Sequence, residues 1–133
     1  MSVRVRIHQG PLAPATTMRQ DGAGAVVIFE GIVRPTEEGE PIRALEYDVY
    51  HAMAERSLRE LCETTLERFG LLAIEVEHSA GVVPAHECSF RLSVASAHRA
   101  EALKAMDWFI YRMKESVPIW KRAAHGTSTE TPP

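Results

Sequence analysis

The stretch that organises this chain runs from Ser96 to Arg122 and reads SAHRAEALKAMDWFIYRMKESVPIWKR. An apolar strand pattern ends at Ser96, and apolar side chains then recur every three to four residues, which predicts a core helix. The predicted buried stripe consists of Leu103, Met106, Phe109, Ile110, Met113 and Val117. Ser96 is placed to be the N-cap of this helix. Pro118 ends it, because proline lacks the N–H donor and its ring does not fit a helix interior.

The rest of the chain consists of strand patterns and one further amphipathic helix. Alternating or apolar runs predict strands at 3–7, 24–34, 45–49, 74–78 and 88–94. Residues 52–69 predict the other helix, with Gly70 just beyond its end. We interpret 81–84 (GVVP) as a turn, and 35–41 (PTEEGEP) as a polar loop that is either a hairpin connection or a mobile lid. This order predicts an α+β domain with both helices on one face of a mostly antiparallel sheet.

Composition places the chain among ordinary globular proteins. Its 133 residues and 14.8 kDa suit one domain, which we assign to residues 1–122, with 123–133 as a disordered polar tail. The formal net charge of -3 gives no general case for nucleic acid or an anionic membrane. No run reaches the roughly 18 apolar residues of a membrane span, and the first residues do not open a signal peptide, so we expect a cytoplasmic protein. Cys62 and Cys88 form no CxxC pair and are interpreted as core side chains.

The start of the Ser96–Arg122 stretch carries the first group of cations, His98 and Arg99. An arginine in a first helical turn opposes the helix dipole. Its position makes sense if the free N–H groups, Arg99 and His98 together bind a phosphate. The alternative is that Arg99 pairs with Glu101 or with a carboxylate of a neighbouring strand.

The end of the stretch carries the second group, which includes Lys114 and Lys121. Lys114 lies at the border of the apolar stripe, where it either reaches outward to solvent or is partly desolvated and available for acid–base or covalent chemistry. Lys121 follows Pro118, where the chain can fold back toward Lys114. Arg34 lies at the end of the strand that also holds Phe29, and it either binds an anion or caps the edge of the sheet.

Other catalytic signatures are not found in the sequence. The remaining histidines have no metal-binding spacing, and there is no GxSxG, P-loop or GxGxxG pattern. The residues therefore indicate no metal and no cofactor.

Several stretches together resemble the large, catalytic subunit of molybdopterin synthase. They are GAVVIFEGIVR (24–34), ALEYDVYHAMAERSLREL (44–61), GVVP (81–84), SAHR (96–99) and MKESVPIWKR (113–122). The most specific part is SAHR followed by the K…PxWK pattern. The similarity covers roughly residues 22–122.

The resemblance implies an activity and a set of partners. Members of this family install two sulfur atoms as a dithiolene on cyclic pyranopterin monophosphate, a pterin phosphate, to make molybdopterin. The sulfur arrives as a thiocarboxylate on the C-terminal Gly-Gly of a small β-grasp subunit, whose tail enters a pocket of the large subunit. Two large subunits form a central homodimer within a heterotetramer. The implied fold is an α/β hammerhead type with an added small antiparallel β subdomain, and sulfur transfer needs no metal.

The resemblance also implies roles for individual residues. The catalytic candidates are Lys114 and Lys121, and the substrate-binding candidates are Arg34, His98, Arg99 and Phe29. We hypothesise that Lys114 lies nearest the thiocarboxylate carbonyl and stabilises the developing oxyanion or acts as an acid or base. Lys121 then assists proton transfer or holds substrate, and His98 with Arg99 binds the phosphate.

The chain departs from the family pattern at two places. Ala123 follows the PxWK cations where relatives often carry an acidic residue, and the tail has no Arg or Trp; Ser79 stands at an often basic position. The second interpretation of the chain is a non-catalytic small-molecule or partner-binding α+β module that has the same fold but no turnover. A third, an RNA-binding domain, is disfavoured because no basic strand with interleaved aromatic residues occurs.

Overall fold

The computed structural model describes residues 2–125, which form seven strands and two helices. In chain order these are β1 (Ser2–Gln9), β2 (Ala25–Ile32), β3 (Thr36–Glu37), β4 (Glu40–Val49), α1 (His51–Phe69), β5 (Ala73–Pro84), β6 (Cys88–Ser96), α2 (Arg99–Ser116) and β7 (Ile119–His125). The sheet follows the order β2-β6-β5-β4-β3, with β1 parallel to β5 and β7 antiparallel to β4. Every other pairing is antiparallel, which confirms the predicted α+β class.

Strand β5 joins two parts of the sheet. Its first residues pair with β1 and β6, whereas Gly81–Pro84 pair with β4 in a small subdomain that β3 and β7 complete. The prediction of a turn at 81–84 was therefore wrong. Gly81 has φ +77°, and a Cβ there would collide with the Gln9 side chain, so this glycine bends the strand without ending it.

Both helices pack on one face of the main sheet, as predicted. Helix α1 ends in a Schellman motif, in which Gly70 (φ +62°) is left-handed and the N–H of Leu71 donates to the carbonyl of Leu66. The core between helices and sheet contains Leu58 and Cys62 from α1 and strand residues such as Leu92.

The buried face of α2 differs from the predicted stripe, because it includes two alanines and leaves Leu103 exposed and Ile110 half-buried. It consists of Ala102, Ala105, Met106, Phe109 and Met113, while Leu103 is 53% exposed. Alanines carry too little apolar surface to stand out in a sequence pattern, yet here they let the helix approach the core closely. The buried face of α2 is therefore rotated by about one residue relative to the face that the larger apolar side chains predicted.

The start of α2 also differs from the prediction, because His98 and not Ser96 is the N-cap. Ser96 is the last residue of β6, and its Oγ accepts a hydrogen bond from the His98 N–H (3.1 Å) while it contacts the His98 carbonyl. The serine hydroxyl thus closes the strand-to-helix turn, and Arg99 becomes the first helical residue.

The end of the described chain is more ordered than the predicted tail. Strand β7 runs to His125, so Ala123–His125 belong to the sheet, and the remainder of the predicted tail, 126–133, lies outside the described residues. Ala123 is opposite Leu45 in the β4–β7 pair and packs against the small core of the subdomain. Cross-strand hydrogen bonds stabilise this segment although its side chains are small.

The face of the main sheet opposite the helices is covered by the segment between β1 and β2. The buried Arg91 of β6 donates to the Ala13 carbonyl of this segment (2.6 Å) and forms ion pairs with Glu30 (2.6 Å) and Glu77 (3.0 Å). Arg91 therefore ties the covering segment to three strands of the sheet. Neither α1 nor α2 has the apolar length needed to cross a membrane.

Candidate active site

A cavity of about 710 Å³ lies where the small subdomain meets the main sheet and the C-terminal end of α2. It brings together four of the six predicted site residues: Phe29, Arg34, Lys114 and Lys121. The cavity thus has three cations at its rim, together with apolar walls that include Ile110 and Met113.

The strand β2 and the residues after it supply one side of the cavity. Phe29 is 40% exposed, and its ring lies 6.0 Å from that of Phe90. The β2–β6 register shifts between Gly31 and Ile32, which marks a β-bulge or similar irregularity. Arg34 follows this shift, and its exposed side chain is turned to the cavity.

The end of α2 and the start of β7 supply the two lysines. Lys114 lies in the last turn of α2 and lines the cavity. Its side chain is exposed, so of the two predicted alternatives, reaching outward to solvent or partial desolvation, the structure shows the first. The helix stops at Val117, which is extended (φ -93°, ψ 131°), and Pro118 follows. The chain then reverses into β7, which places Lys121 on the same cavity as Lys114, as the sequence predicted.

The floor of the cavity contains polar groups that the sequence analysis did not assign to the site. The Tyr47 hydroxyl lies 2.8 Å from Ser89 Oγ. Burial is the largest cause of a raised pKa for the Tyr47 phenol; the Ser89 hydrogen bond lowers this pKa by less, and the Glu37 carboxylate raises it further. Tyr47 shares a strand face with Leu45 and Val49, and these three alternate with Glu46 and Asp48 in the sequence. A hydroxyl on the apolar face of this strand was the available signal.

His78 also lines this floor; it is one of the histidines for which the sequence indicated no metal-binding spacing and no role in the site. Its Nδ1 lies 2.7 Å from the Ser79 carbonyl, which only accepts, so Nδ1 carries the proton and the neutral ring presents Nε2 as an acceptor. Burial lowers the pKa of His78, and the hydrogen bond to Ser79 acts in the opposite direction. The edge of the ring packs against Tyr47 at 5.2 Å between centroids.

The polar loop at 35–41 is a hairpin whose first strand points a carboxylate at the cavity. Its turn residues Glu38 and Gly39 have φ of 51° and 80°, as a tight two-residue turn requires. Glu37 Oε1 lies 3.5 Å from Lys121 Nζ, and Glu37 Oε2 lies 4.0 Å from Arg34. The hairpin alternative is therefore the one that the structure supports, and Glu37 is a further charged residue of the site.

His98 and Arg99 lie elsewhere in the same chain. They border a separate hollow of about 400 Å³ with Gly24, Ala97 and Ala100. Arg99 and Lys114 are near opposite ends of α2, about 22 Å apart at 1.5 Å of rise per residue. Within residues 2–125, Arg99 forms no ion pair with Glu101 or with a carboxylate of a neighbouring strand, so neither form of the alternative pairing is present.

The donor set favours binding of an anion over binding of a metal ion. No group of three or more His, Cys, Asp or Glu side chains within the described part of the chain is arranged to hold a metal ion. Three cations around apolar and aromatic walls suit a ligand with a flat body and an anionic group.

Comparison with known proteins identifies the family. The model of the MoaE protein family matches residues 7–116. The molybdopterin synthase catalytic subunit of Thermoplasma volcanium is 40% identical over 112 residues, 84% of this chain and 82% of that protein. The human protein of the same name is 38% identical over 106 residues, 80% of this chain and 56% of its own length. The chain thus spans only about half the length of some curated relatives, the rat protein (54%) among them.

Solved structures agree with the sequence comparison. Molybdopterin synthase from Staphylococcus aureus superposes with a TM-score of 0.81 at 31% identity, covering 90% of both chains. A complex of subunits 1 and 2 of molybdopterin-converting factor from Helicobacter pylori gives a TM-score of 0.70 at 24% identity, covering 96% of this chain and 93% of that one. The second likeness concerns the fold alone.

Proposed function

This chain belongs to the MoaE protein family, and we propose that it is the large subunit of a molybdopterin synthase. In this role it transfers sulfur from the C-terminal thiocarboxylate of a small partner subunit to cyclic pyranopterin monophosphate. The observation that carries the proposal is the convergence of Arg34, Lys114 and Lys121 on one cavity with aromatic and apolar walls. Such a cavity fits both a phosphate-bearing pterin and an incoming thiocarboxylate.

The chemistry assigns the two lysines to charge that develops during transfer. The thiocarboxylate sulfur bonds to a carbon of the substrate as an oxygen substituent of that carbon takes up a proton and leaves. Water then adds to the acyl carbon, the acyl–sulfur bond breaks, and the sulfur stays on the substrate. The small subunit leaves with a C-terminal carboxylate. Lys114 stabilises the oxyanion that forms on the acyl carbon, and Lys121 exchanges protons or holds substrate.

The part of the small subunit that enters the cavity is its slender C-terminal tail, since the cavity is too small for a folded domain. A Gly-Gly end has no side chains beyond hydrogen and can enter beside bulky wall residues such as Trp120. Its peptide N–H groups need acceptors, and the floor offers His78 Nε2 and the hydroxyls of Tyr47 and Ser89. The Helicobacter pylori structure, a complex of subunits 1 and 2, is the precedent for such a pairing.

A second copy of this chain supplies His98 and Arg99, because the cavity of one chain does not contain them. Among the described strands, β2 pairs only with β6, and its exposed apolar residues are Val26 (37%), Phe29 (40%) and Ile32 (49%). The start of β2 adjoins the His98 hollow, where Ala25 is opposite Ser96, and its end borders the cavity. Two-fold packing of β2 against its counterpart reverses the strand direction, so His98 and Arg99 of one copy approach the cavity of the other.

A cytoplasmic location remains part of this proposal. Cys62 and Cys88 are free thiols, which suits a reducing compartment.

The experiment that tests the function combines the purified chain with a thiocarboxylated small subunit and the pyranopterin substrate. Formation of the dithiolene product, with release of a carboxylate-ended partner, is the expected result. The alternative function, a binding module of the same fold, predicts affinity for the partner without product.

A further inference from the structure

The cavity already contains a carboxylate of its own. Glu37 lies between two of the three cations, with Oε1 3.5 Å from Lys121 and Oε2 4.0 Å from Arg34. Its side chain is only 22% exposed, compared with 53% for Lys121 and 73% for Arg34. The least solvated member of this group is therefore the anion, and it occupies the position that an external anion needs.

Glu37 is directed inward, because it lines the cavity together with Lys121 and the floor residue Tyr47, and its side chain is 22% exposed. From this position the Glu37 carboxylate adds to the effect of burial, which raises the pKa of the Tyr47 phenol.

We propose that Glu37 is an internal competitor for the anion site, so that a phosphate or carboxylate ligand reaches Arg34 and Lys121 only by displacing the Glu37 carboxylate. Displacement needs little rearrangement of the fold. Strand β3 has two residues, and its hairpin pairs only Thr36 with Pro41 and Glu37 with Glu40. A hairpin with so few cross-strand bonds moves at low cost.

This role makes Glu37 a determinant of which anions bind. The charged groups that line the cavity are Arg34, Lys114, Lys121 and Glu37, a net charge of +2. A ligand with a single weak anionic group gains little by replacing Glu37. A phosphate monoester or a tail carboxylate that also contacts Lys114 gains more, so the competitor favours ligands that bind all three cations.

The inference deepens the proposed function, because it concerns the same cations, and it is tested by binding without turnover. The variants are E37Q, which removes the carboxylate at nearly constant shape, and E40Q, a matched control. Glu40 is on the same hairpin, opposite Glu37, but is exposed and does not line the cavity. The probes are inorganic phosphate, a peptide ending in a Gly-Gly carboxylate, and the same peptide ending in an amide.

Titration calorimetry is expected to show that E37Q binds phosphate and the carboxylate peptide about 3- to 10-fold more tightly than wild type. This is the gain when a competitor that occupies the site most of the time is removed. The amide peptide gains nothing, E40Q changes affinity less than about twofold, and the salt dependence of binding is steeper in E37Q. In a spectroscopic titration the Tyr47 pKa falls in E37Q and not in E40Q.

Unchanged or weaker anion binding by E37Q, no detectable binding by either protein, or an equal gain in E40Q overturns the proposal. Failure of the proposed function is a separate outcome. If wild type makes no dithiolene while E37Q still binds anions more tightly, the sulfur transfer is wrong and the competitor stands. If wild type makes product and E37Q binds no more tightly, only the competitor is wrong.

Discussion

Lys121 of strand β7 lies directly opposite Tyr47 of strand β4, and both side chains line the cavity. The neighbouring pair, Arg122 opposite Glu46, forms an exposed ion pair that does not line the cavity, because side chains alternate along a strand. The register of β7 therefore decides whether Lys121 reaches the site. A slip of one residue would turn it to the other face.

The hydrogen bond between Tyr47 and Ser89 should stabilise this junction. Tyr47→Phe removes the hydroxyl and leaves the buried Ser89 without that partner, which we expect to lower the free energy of unfolding by about 1 kcal/mol. Urea denaturation of the two single variants and of Tyr47→Phe/Ser89→Ala measures the coupling. If the two losses simply add, the hydrogen bond contributes nothing to stability.

Substitution of Arg91 should lower the free energy of unfolding more than most substitutions outside the site. Arg91→Met leaves the Glu30 and Glu77 carboxylates and the Ala13 carbonyl without their donor, and we expect a loss of about 3 kcal/mol or more. The control is Arg4→Met, which removes an exposed pair with Glu75 on the same sheet and should cost less than about 1 kcal/mol. Equal losses for the two variants in denaturant unfolding would show that the buried network has no special role.

Cys62 should make the stability of the protein depend on alkaline pH. Burial raises the pKa of its thiol from 9.0 to about 12, so above pH 9 the unfolded chain releases this proton while the folded chain keeps it. Above pH 9 the free energy of unfolding therefore falls by about 1.4 kcal/mol per pH unit. Cys62→Ala should be about 1 kcal/mol less stable than wild type at pH 7, and this difference should vanish near pH 10. A difference that stays constant from pH 7 to pH 10 contradicts this account of the thiol.

The shared site of the proposed dimer predicts complementation between two inactive variants. Arg99→Ala and Lys114→Ala should each be inactive. In a mixed dimer, however, the Arg99→Ala chain keeps its own Lys114 and receives Arg99 from the Lys114→Ala chain, so one of the two cavities is complete. Random pairing after the two are unfolded and refolded together should restore about a quarter of wild-type product formation. No recovery, in a mixture shown to contain mixed dimers, would mean that each cavity uses only its own chain.

Periodicity in the sequence predicted the elements well, because helix and strand faces here are amphipathic. Gly70 ends α1 as expected, since its left-handed conformation favours glycine. Gly81 carried the same signal, yet there the positive φ bends a strand that continues to Pro84. Local sequence does not distinguish the two, because the pairing of residues 81–84 with β4 is a long-range contact.

The site was predictable in part. Lys114 and Lys121 meet because Pro118 forces a reversal that the sequence shows, whereas Arg34 joins them only through tertiary packing. The wide separation of Arg99 from Lys114 was implicit in the length of the helix. Glu37 and His78 had no local signal, since a carboxylate in a polar loop and a histidine at a strand end are usually surface groups.

The most direct test of the proposed function measures dithiolene formation by Lys114→Ala and Lys121→Ala with a thiocarboxylated small subunit and the pyranopterin substrate. Lys104→Ala is the matched control, an exposed lysine of α2 that does not line the cavity. We expect losses of about 100-fold or more for Lys114→Ala, a clear loss for Lys121→Ala, and less than a twofold change for Lys104→Ala, with thermal unfolding unchanged. Near-normal product formation by Lys114→Ala would contradict the account.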